Sequence, residues 1–341
     1  MSFTSDGNES IPTDFDDVVQ QVSTGTLAHQ RIDELLLEAH ERYSDVDEGL
    51  LAHYIPILGQ VEPDTFAISM SHVGGTVHGA GDCHHQFSIQ SISKMFVYAL
   101  VLQEHGHEAV HEKIGVNNTG MPFNSVMAVE LNNGHPMNPM VNAGAIATTE
   151  MIAGKSAAKK WENVREGLSA FAGRPLTLDD EVYESESEAN ERNKALGRLL
   201  KSYGRLDGDP NNAVDTYTKQ CSLNVTAHDL AVMGATLADG GINPVTGQQV
   251  VSADVCRDTL ATVATNGLYE RSGDWLFEIG IPAKSGVSGG IVAVAPGKGA
   301  IGAFSPRLDM AGNSVRGQLA IGHLSRALGL NLFASAPDSG R

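Results

Sequence analysis

Positive charge is scarce in this chain of 341 residues, which has 23 Lys and Arg against 41 Asp and Glu and a formal net charge of −18. Nucleic-acid-binding proteins usually present a basic stripe to phosphate, and proteins that adhere to anionic lipid rely on clustered Lys and Arg. The composition therefore argues against nucleic acid and against a membrane surface as partners.

Cysteine and long apolar runs are scarce as well. The three cysteines, Cys83, Cys221 and Cys256, are too few and too scattered for a disulfide framework, which favours a reducing cytoplasm. The longest unbroken apolar run, Met95 to Leu102, is too short to span a bilayer. Apolar residues nevertheless make up 41% of the chain, enough to fill a sizeable core.

The two ends of the chain are predicted to be tails. Residues 1–18 contain five acids, no Lys or Arg, and several Ser, Thr, Gly and Pro. They have neither the apolar stretch of a secretory signal nor the arginines of a transit peptide. We expect a flexible acidic arm that carries no fold information, and a second polar tail at residues 335–341.

Hydrophobic periodicity predicts strands near both ends of the chain and helices between them. Helices are predicted at 32–43, 88–105, 157–171, 188–203, 227–238 and 314–328, and strands at 65–73, 76–78, 279–283, 291–295 and 300–304. This order predicts one α/β domain built from residues 19–105 and 266–334, with an inserted helical domain at residues 106–265.

One motif suggests a metal site. His107–His111 matches H-E-x-x-H, in which two histidines one helical turn apart bind zinc beside a general-base Glu. Gly106 interrupts the preceding helix, Gly115 ends the segment, and Glu112 and Lys113 stand where an apolar buried face is needed. Because a zinc helix must be held by the core, we expect a short solvated segment, unligated histidines and no metal cofactor.

A second motif suggests a serine nucleophile. Ser91 and Lys94 stand in S-x-x-K spacing, which on a helix places their Cβ atoms about 5–6 Å apart on one face. Lysine can take the proton of a serine only when burial or a nearby cation lowers its pKa. Apolar neighbours such as Ile92 and Phe96 supply a desolvating wall. The tetrapeptide alone is weak evidence, because it occurs by chance and is usually an exposed pair on a helix surface.

A third motif, Lys284-Ser285-Gly286, lies far downstream at the end of a predicted strand. S-x-x-K followed by K-[ST]-G is typical of penicillin-interacting serine enzymes, where the strand lines the active site beside the serine helix. Its backbone N–H groups can complete an oxyanion hole. A polar strand end with a glycine turn is the alternative, but two motifs in the right order favour a serine hydrolase.

Longer stretches of sequence match one family among such serine enzymes. The matching stretches are Tyr54–Pro56, Phe87–Phe96, Asn138–Ile146, Ser185–Glu186, Arg192–Asn193, Tyr217, Cys221, Ile281–Ile291, Ser305–Asp309 and Gly312–Gly317. In these stretches the chain resembles the serine-dependent glutaminase family. The resemblance implies a β-lactamase/transpeptidase-like fold of the α/β (α+β) type, with an antiparallel sheet flanked by helices and an inserted all-helical domain. It also implies hydrolysis of L-glutamine to L-glutamate and ammonia through a γ-glutamyl-serine ester.

The resemblance assigns roles to individual residues. It implies Ser91 as the nucleophile, Lys94 as its base, and the backbone N–H groups of Ser91 and Val287 as the oxyanion hole. The residues expected to contact glutamine are Tyr54, Ser91, Asn142, Glu186, Asn193, Tyr217, Tyr269 and Val287.

These residue types suit the substrate. An α-ammonium needs a carboxylate, which Glu186 provides, and an α-carboxylate needs donors such as Asn142, Asn193 and Tyr54. Tyr217 and Tyr269 could pass a proton to the leaving ammonia, so they are candidate catalytic residues.

Two turns depart from the family's usual pattern. Asn117–Gly120 stands where the family commonly has Glu-Pro-Ser-Gly, before Met121–Asn124, and Gly74-Gly75 replaces an Asp-Gly turn. Both are expected to be surface turns away from the serine. The family further suggests a cytoplasmic homotetramer.

Two alternatives stay open. A penicillin-recognising hydrolase or peptidase would share the fold, but the lack of a secretory signal argues against chemistry outside the cytoplasm. The second alternative is a binding protein that kept the pocket but lost catalytic activity. The intact pair of Ser91 and Lys94 argues against it.

Overall fold

The computed structural model describes residues 11–21 and 31–335. Its strands are β1 (Ala67–His72), β2 (Val77–Gly81), β3 (Phe87–Ser88), β4 (Asn224–Val225), β5 (Ala283–Ser285), β6 (Gly290–Ala295) and β7 (Gly299–Phe304). Five of them form an antiparallel sheet in the order β2-β1-β7-β6-β5, while β3 and β4 form a separate pair. The pairing of β1 with β7, in which Met70 lies opposite Ile301, joins the two ends of the chain in one sheet.

Thirteen α-helices lie in the rest of the described chain. They are α1 (Ile32–Tyr43), α2 (Ser93–His105), α3 (His107–Lys113), α4 (Val126–Leu131), α5 (Asn142–Met151), α6 (Ala157–Ala172), α7 (Asp180–Glu188), α8 (Glu191–Ser202), α9 (Pro210–Cys221), α10 (Ala227–Ala238), α11 (Ala253–Asn266), α12 (Ser272–Glu278) and α13 (Val315–Ala327). The strand-rich ends and the helical middle confirm the predicted α/β class and the antiparallel sheet flanked by helices.

The central strands are buried on both faces. Every residue of β6 and β7 is buried, so both strands consist almost entirely of small and branched apolar side chains. On one face, α1 and α13 supply Leu36 and Leu319 to a core shared with Ile301. On the other face α10 lies so close that a Cβ at Gly302 would be 2.3 Å from the carbonyl oxygen of Ala227. The predicted helical segment 106–265 therefore includes one helix that packs on the sheet.

The helical part has its own core. Ile146 of α5, Leu200 of α8 and Tyr217 of α9 belong to one buried cluster, and every residue of α5 except the last is buried. This packing fixes the N-terminus of α5 between α2, α8 and α9, which matters for the site described below.

Some predicted elements are displaced. The predicted helix 88–105 begins instead with β3 and a 3₁₀ turn at residues 90–92, because Phe87 and Ser88 pair with β4. The predicted strand 279–283 starts only at Ala283. The Ile279 N–H still bonds to the carbonyl of Trp275 in α12, as in a helix. Pro282 has no N–H to donate to a neighbouring strand.

The prediction of a flexible acidic arm is wrong for residues 11–18. Residues 1–10 lie outside the described residues. Ile11 and Phe15 are buried, and the Phe15 ring lies against α13, with the guanidinium carbon of Arg326 5.0 Å from its centroid. Arg42 of α1 donates to the Asp14 carbonyl and to the Asp17 carboxylate. Two apolar side chains at suitable spacing anchored a segment whose composition alone suggested disorder. Of the predicted tail 335–341, residues 336–341 are likewise outside the described residues.

None of the described helices is both long enough and apolar enough to cross a membrane.

We expect Phe15→Ala to lower the free energy of unfolding by about 2 kcal/mol or more, because it leaves a cavity between the N-terminal segment and α13. Thermal or urea denaturation measures this, with Val19→Ala as the control, since Val19 is 73% exposed. Equally small effects of the two substitutions would mean that the segment contributes nothing to stability.

Candidate active site

Ser91 lies at the entrance to a buried helix. It belongs to the 3₁₀ turn of residues 90–92, which leads directly into α2, and its side chain is 7% exposed. The preceding residue, Gln90, has a φ of 50°, in the left-handed region that non-glycine residues rarely adopt. The predicted position of the serine at a helix N-terminus is thus observed, with a sharp bend immediately before it.

A cavity of about 160 Å³ opens at Ser91. It is lined by Tyr54, Ile55, Gln90, Ser91, Phe123, Asn124, Asn142, Glu186, Ala189, Asn190, Arg192, Asn193, Tyr217, Cys221 and Val287. Seven of the predicted substrate contacts are among them. The eighth, Tyr269, is adjacent, since its ring lies 4.8 Å from that of Phe123.

The Lys94 amine lies below the cavity and is buried. It donates to the carbonyl of Met140 at 3.0 Å and to Oδ1 of Asn142 at 2.7 Å. The rings of Phe123 and Tyr217 each have their centroid 5.8 Å from Nζ. Burial among these uncharged groups lowers the pKa of Lys94 to about 8. At neutral pH a useful fraction of the amine, on the order of one tenth at pH 7, is therefore neutral.

Asn142 connects the amine to the cavity. It is the first residue of α5, and while its Oδ1 accepts from Lys94, its Nδ2 donates to Oδ1 of Asn193 at 2.9 Å. The Tyr217 hydroxyl donates to the same Oδ1 at 3.4 Å. The predicted residues of α2, α5, α8 and α9 thus meet in one hydrogen-bonded group.

Both predicted tyrosine acids stay protonated at neutral pH. Burial raises the pKa of Tyr217 and that of Tyr269 well above the usual phenol value. Tyr269 donates its hydroxyl proton to the carbonyl of Ser285 at 3.2 Å, and its φ of 56° is again left-handed. The phenol is therefore held by the strand that carries the Lys284-Ser285-Gly286 motif.

Glu186 differs from the other acids of its helix. Glu181, Glu184 and Glu188 are exposed, whereas Glu186 is half-buried and turns into the cavity. Desolvation raises the pKa of Glu186 to about 7, and a hydrogen bond from the Gln90 side chain opposes that shift. The carboxylate has no cationic partner among the described residues, so it is suited to meet a cation from a ligand.

The end of β5 lies directly against the serine turn. A Cβ at Gly286 would stand 3.0 Å from the carbonyl oxygen of Ile89 and 3.2 Å from Cβ of Gln90, so a side chain here would push the serine turn away by a few tenths of an ångström. Val287 follows and lines the cavity beside Ser91. The neighbouring Lys284 amine donates to the carbonyls of Gly267 and Ser285 at 2.9 and 2.8 Å.

The turn of residues 117–120, predicted to lie away from the serine, does not line the cavity, but the residues that follow it reach the site. Phe123 and Asn124 line the cavity, and the Phe123 carbonyl accepts the backbone N–H of Asn142 at 2.8 Å. Sequence reasoning also missed Gln90, because its role depends on a backbone conformation that no composition signal reveals. The φ values of Gln90 and Tyr269 are the observation that marks them.

The H-E-x-x-H segment forms a helix of seven residues, α3, and none of its residues lines this cavity. His107 and His111 are exposed, and Nδ1 of His107 pairs with the Asp258 carboxylate at 2.9 Å. Among the described residues no group of three or more His, Cys, Asp or Glu side chains could hold a metal ion.

A family model described as glutaminase matches residues 49–333, which include every element of this cavity. The chain belongs to the glutaminase family. Glutaminases are hydrolases that act on the amide bond of glutamine, so the protein is an enzyme of that class.

Individual glutaminases match over nearly the whole chain. Glutaminase 2 of Yersinia pestis is 51% identical over 330 residues, which cover 96% of this chain and 97% of the relative. A solved structure described as the probable glutaminase ybaS has a TM-score of 0.89 at 43% identity and covers 91% of this chain and 100% of its own.

The fold of this glutaminase is β-lactamase-like, as expected. The probable glutaminase from Bacillus subtilis, solved in complex with 6-diazo-5-oxo-L-norleucine, has a TM-score of 0.81 at 32% identity and covers 88% of this chain and 97% of that one.

Proposed function

We propose that this glutaminase hydrolyses L-glutamine through a γ-glutamyl ester of Ser91, with Lys94 as the base. The observation that carries the proposal is the buried Lys94 amine, whose pKa burial lowers to about 8 and whose position is one helical turn from Ser91. A lysine in ordinary surroundings stays protonated at neutral pH and takes no proton from a hydroxyl.

The hydrogen bonds of the amine suit this task. A neutral amine has two N–H groups, and the acceptors on Lys94 are also two, the carbonyl of Met140 and Oδ1 of Asn142. Both bonds persist when the third proton is lost, and the lone pair is then free for the hydroxyl proton of Ser91. Deprotonation therefore needs no rearrangement around Lys94.

The chemical steps follow from that arrangement. Ser91 Oγ gives its proton to Lys94 and attacks the amide carbon of glutamine, and the carbonyl oxygen becomes an oxyanion. The backbone N–H groups of Ser91 and Val287 stabilise this charge. The C–N bond then breaks and the nitrogen leaves as ammonia after taking a proton. Water next attacks the ester and gives its proton to the amine, which releases glutamate and regenerates Ser91.

Two phenols are the candidates for donating the proton that the leaving nitrogen takes. Tyr217 and Tyr269 flank Ser91, and burial keeps both protonated at neutral pH by raising the pKa of each. Before substrate binds, Tyr269 donates its hydroxyl proton to the Ser285 carbonyl and Tyr217 donates to Oδ1 of Asn142. In either case the Lys94 ammonium returns that proton to the phenolate, so the phenol is restored and the amine is neutral again when water attacks the ester.

Substrate recognition rests on opposite charges at the rim. Glu186 meets the α-ammonium, while Asn193, Asn142 and Tyr54 donate to the α-carboxylate. Asn142 and Asn193 each keep N–H groups beyond the bond they share, and Tyr54 is 62% exposed at the mouth of the cavity. Val287 lines the same cavity.

The alternatives are separated by substrate choice. A penicillin-recognising hydrolase shares the Ser91 and Lys94 pair, and a binding protein would show no turnover. Ammonia release from glutamine and asparagine, compared with hydrolysis of a penicillin-type substrate under identical conditions, distinguishes all three. A cytoplasmic location and a homotetramer stay predictions.

Ser91→Ala is expected to reduce ammonia release by about 10³-fold or more while leaving the fold intact, because the nucleophile is lost and no core side chain is removed. Steady-state kinetics and thermal denaturation measure the two effects. A glutamine-like diazoketone should label wild-type Ser91. Near-normal activity of the variant, or a label on Ser88 or Ser93, would contradict the assignment.

Glu186→Gln is expected to reduce kcat/KM for glutamine by at least about tenfold, because an ammonium left unpaired in a cavity costs roughly 2–5 kcal/mol. Glu184→Gln is the matched control, since Glu184 lies on the same helix and is exposed. An analogue with an acetylated α-amine should be far less affected by the substitution at 186. Equally small effects at both positions would remove Glu186 from substrate binding.

The pH dependence of kcat/KM should show the ionisation of both Lys94 and Glu186. Lys94, with a pKa of about 8, and Glu186, with a pKa of about 7, must both be deprotonated in the free enzyme. Log kcat/KM should therefore rise with pH with a slope approaching about two below pH 7, and level off above about pH 8. In Glu186→Gln the slope should fall to about one. An unchanged slope in that variant would mean that Glu186 is not one of the titrating groups.

A further inference from the structure

A chain of buried polar side chains leads from the helical part of the molecule to the serine turn. Thr149 Oγ1 of α5 donates to Oε1 of Gln220 at 2.9 Å, and Nε2 of Gln220, on α9, donates to Ser93 Oγ at 3.1 Å. Ser93 Oγ donates in turn to the carbonyl of Gln90 at 2.7 Å. All four residues are buried, and none of the roles described above uses Thr149, Gln220 or Ser93.

The direction of each bond is fixed by its neighbours. The single proton of Ser93 goes to the Gln90 carbonyl, so the hydroxyl oxygen can only accept from Gln220. The Gln220 amide is oriented because its oxygen accepts from Thr149. This series of hydrogen bonds therefore keeps the Ser93 hydroxyl as a donor to the carbonyl of Gln90.

That carbonyl belongs to the same peptide group as the N–H of Ser91. Because the peptide is planar and trans, its C=O and N–H point in opposite directions. A donor that holds the carbonyl toward the core therefore holds the Ser91 N–H toward the other side, where the cavity lies. The constraint is needed because Gln90 is in a left-handed conformation, with a φ of 50°, which its own backbone does not favour.

We propose that Ser93 and Gln220 are positioning residues that keep the Gln90–Ser91 peptide oriented, so that the Ser91 N–H stands ready as an oxyanion-hole donor. The proposal rests on the proposed function, since it assigns these residues to that same reaction. They act on the transition state through the peptide and not on the ground state of the bound substrate.

Ser93→Ala tests the proposal, because it removes the side-chain donor and leaves only the Ser93 backbone N–H, which also bonds to the Gln90 carbonyl. We expect kcat to fall by about 10- to 100-fold. This loss is no larger than the one caused by removing an oxyanion-hole donor outright, because the Ser91 N–H is still present. The Kd for the product glutamate should change by less than about twofold. Ser93→Thr, which keeps the hydroxyl, should restore most of the activity.

Ser222→Ala is the matched control. Ser222 is also fully buried, and its hydroxyl donates to a backbone carbonyl, that of Thr218, at 2.9 Å. It lies two residues from Gln220 but outside the chain of bonds. We expect it to lower thermal stability about as much as Ser93→Ala while leaving kcat close to wild type.

A tetrahedral analogue separates transition-state from ground-state effects. An amino acid with a boronic acid at the position of the glutamine amide adds Ser91 Oγ to boron and releases a proton, which gives an anionic tetrahedral adduct. Ser93→Ala should weaken this adduct in proportion to the loss in kcat/KM, while glutamate binding stays unchanged. Gln220→Met, which leaves the Ser93 hydroxyl without its fixed partner, should give a smaller loss in the same direction.

The outcomes decide the matter. If Ser93→Ala does not fold, Ser93→Cys replaces it, since a thiol of similar size is only a weak donor and the same losses are expected. Activity equal to that of Ser222→Ala, or equal weakening of glutamate and boronate binding, would overturn the positioning role. Failure of the proposed function is separate, because it appears as a wild type that releases no ammonia or as a fully active Ser91→Ala.

Discussion

The burial of the Lys94 amine among uncharged groups is the constraint on which the site depends. Its acceptors are a carbonyl and a side-chain amide, and two aromatic rings close the space around it. A carboxylate in either position would stabilise the ammonium and raise the pKa of the lysine. The fold avoids this by bringing the N-terminus of α5 onto α2, so that Met140 and Asn142 provide dipoles without charge. The core of the helical part thus determines the protonation state of the proposed base.

A second buried amine reinforces this environment. Burial lowers the pKa of Lys284 well below its usual value, and the nearby Lys94 lowers it further, since two positive charges disfavour each other. Lys284 lies 4.5 Å from the centroid of the Tyr269 ring and donates to the Ser285 carbonyl, which also accepts the Tyr269 hydroxyl. The lysine of the strand motif therefore holds the phenol, and the strand brings that phenol to the serine.

The chemistry of the site was predictable from the sequence, and its geometry was predictable only in part. The S-x-x-K and K-[ST]-G motifs are defined by local spacing and by their order in the chain. They can therefore be recognised without knowledge of the tertiary structure. Phe123 reaches the cavity because its loop is fixed by a bond between its carbonyl and Asn142, a contact that composition does not encode. The same holds for Phe15, whose burial depends on α13 from the other end of the chain. Glu186 was separated from its acidic neighbours by the family resemblance alone, and its orientation on α7 gives the physical reason.

The strained residues show how the two halves of the molecule cooperate. Gln90 and Tyr269, both left-handed, stand on either side of Ser91, and each such conformation costs about 1–3 kcal/mol. Helical elements hold Gln90 through Ser93 and Glu186, whereas Ser272 of α12 donates to the Tyr269 carbonyl at 2.8 Å. The bonds from Ser93 and Ser272 are local, since each serine lies three residues after the residue it holds. The longer-range bonds are those that Gln90 donates to Glu186 and that the Tyr269 hydroxyl donates to the Ser285 carbonyl. The bend before the serine is therefore a property of the assembled fold, and any change that loosens α9 against α2 acts on the serine without touching it.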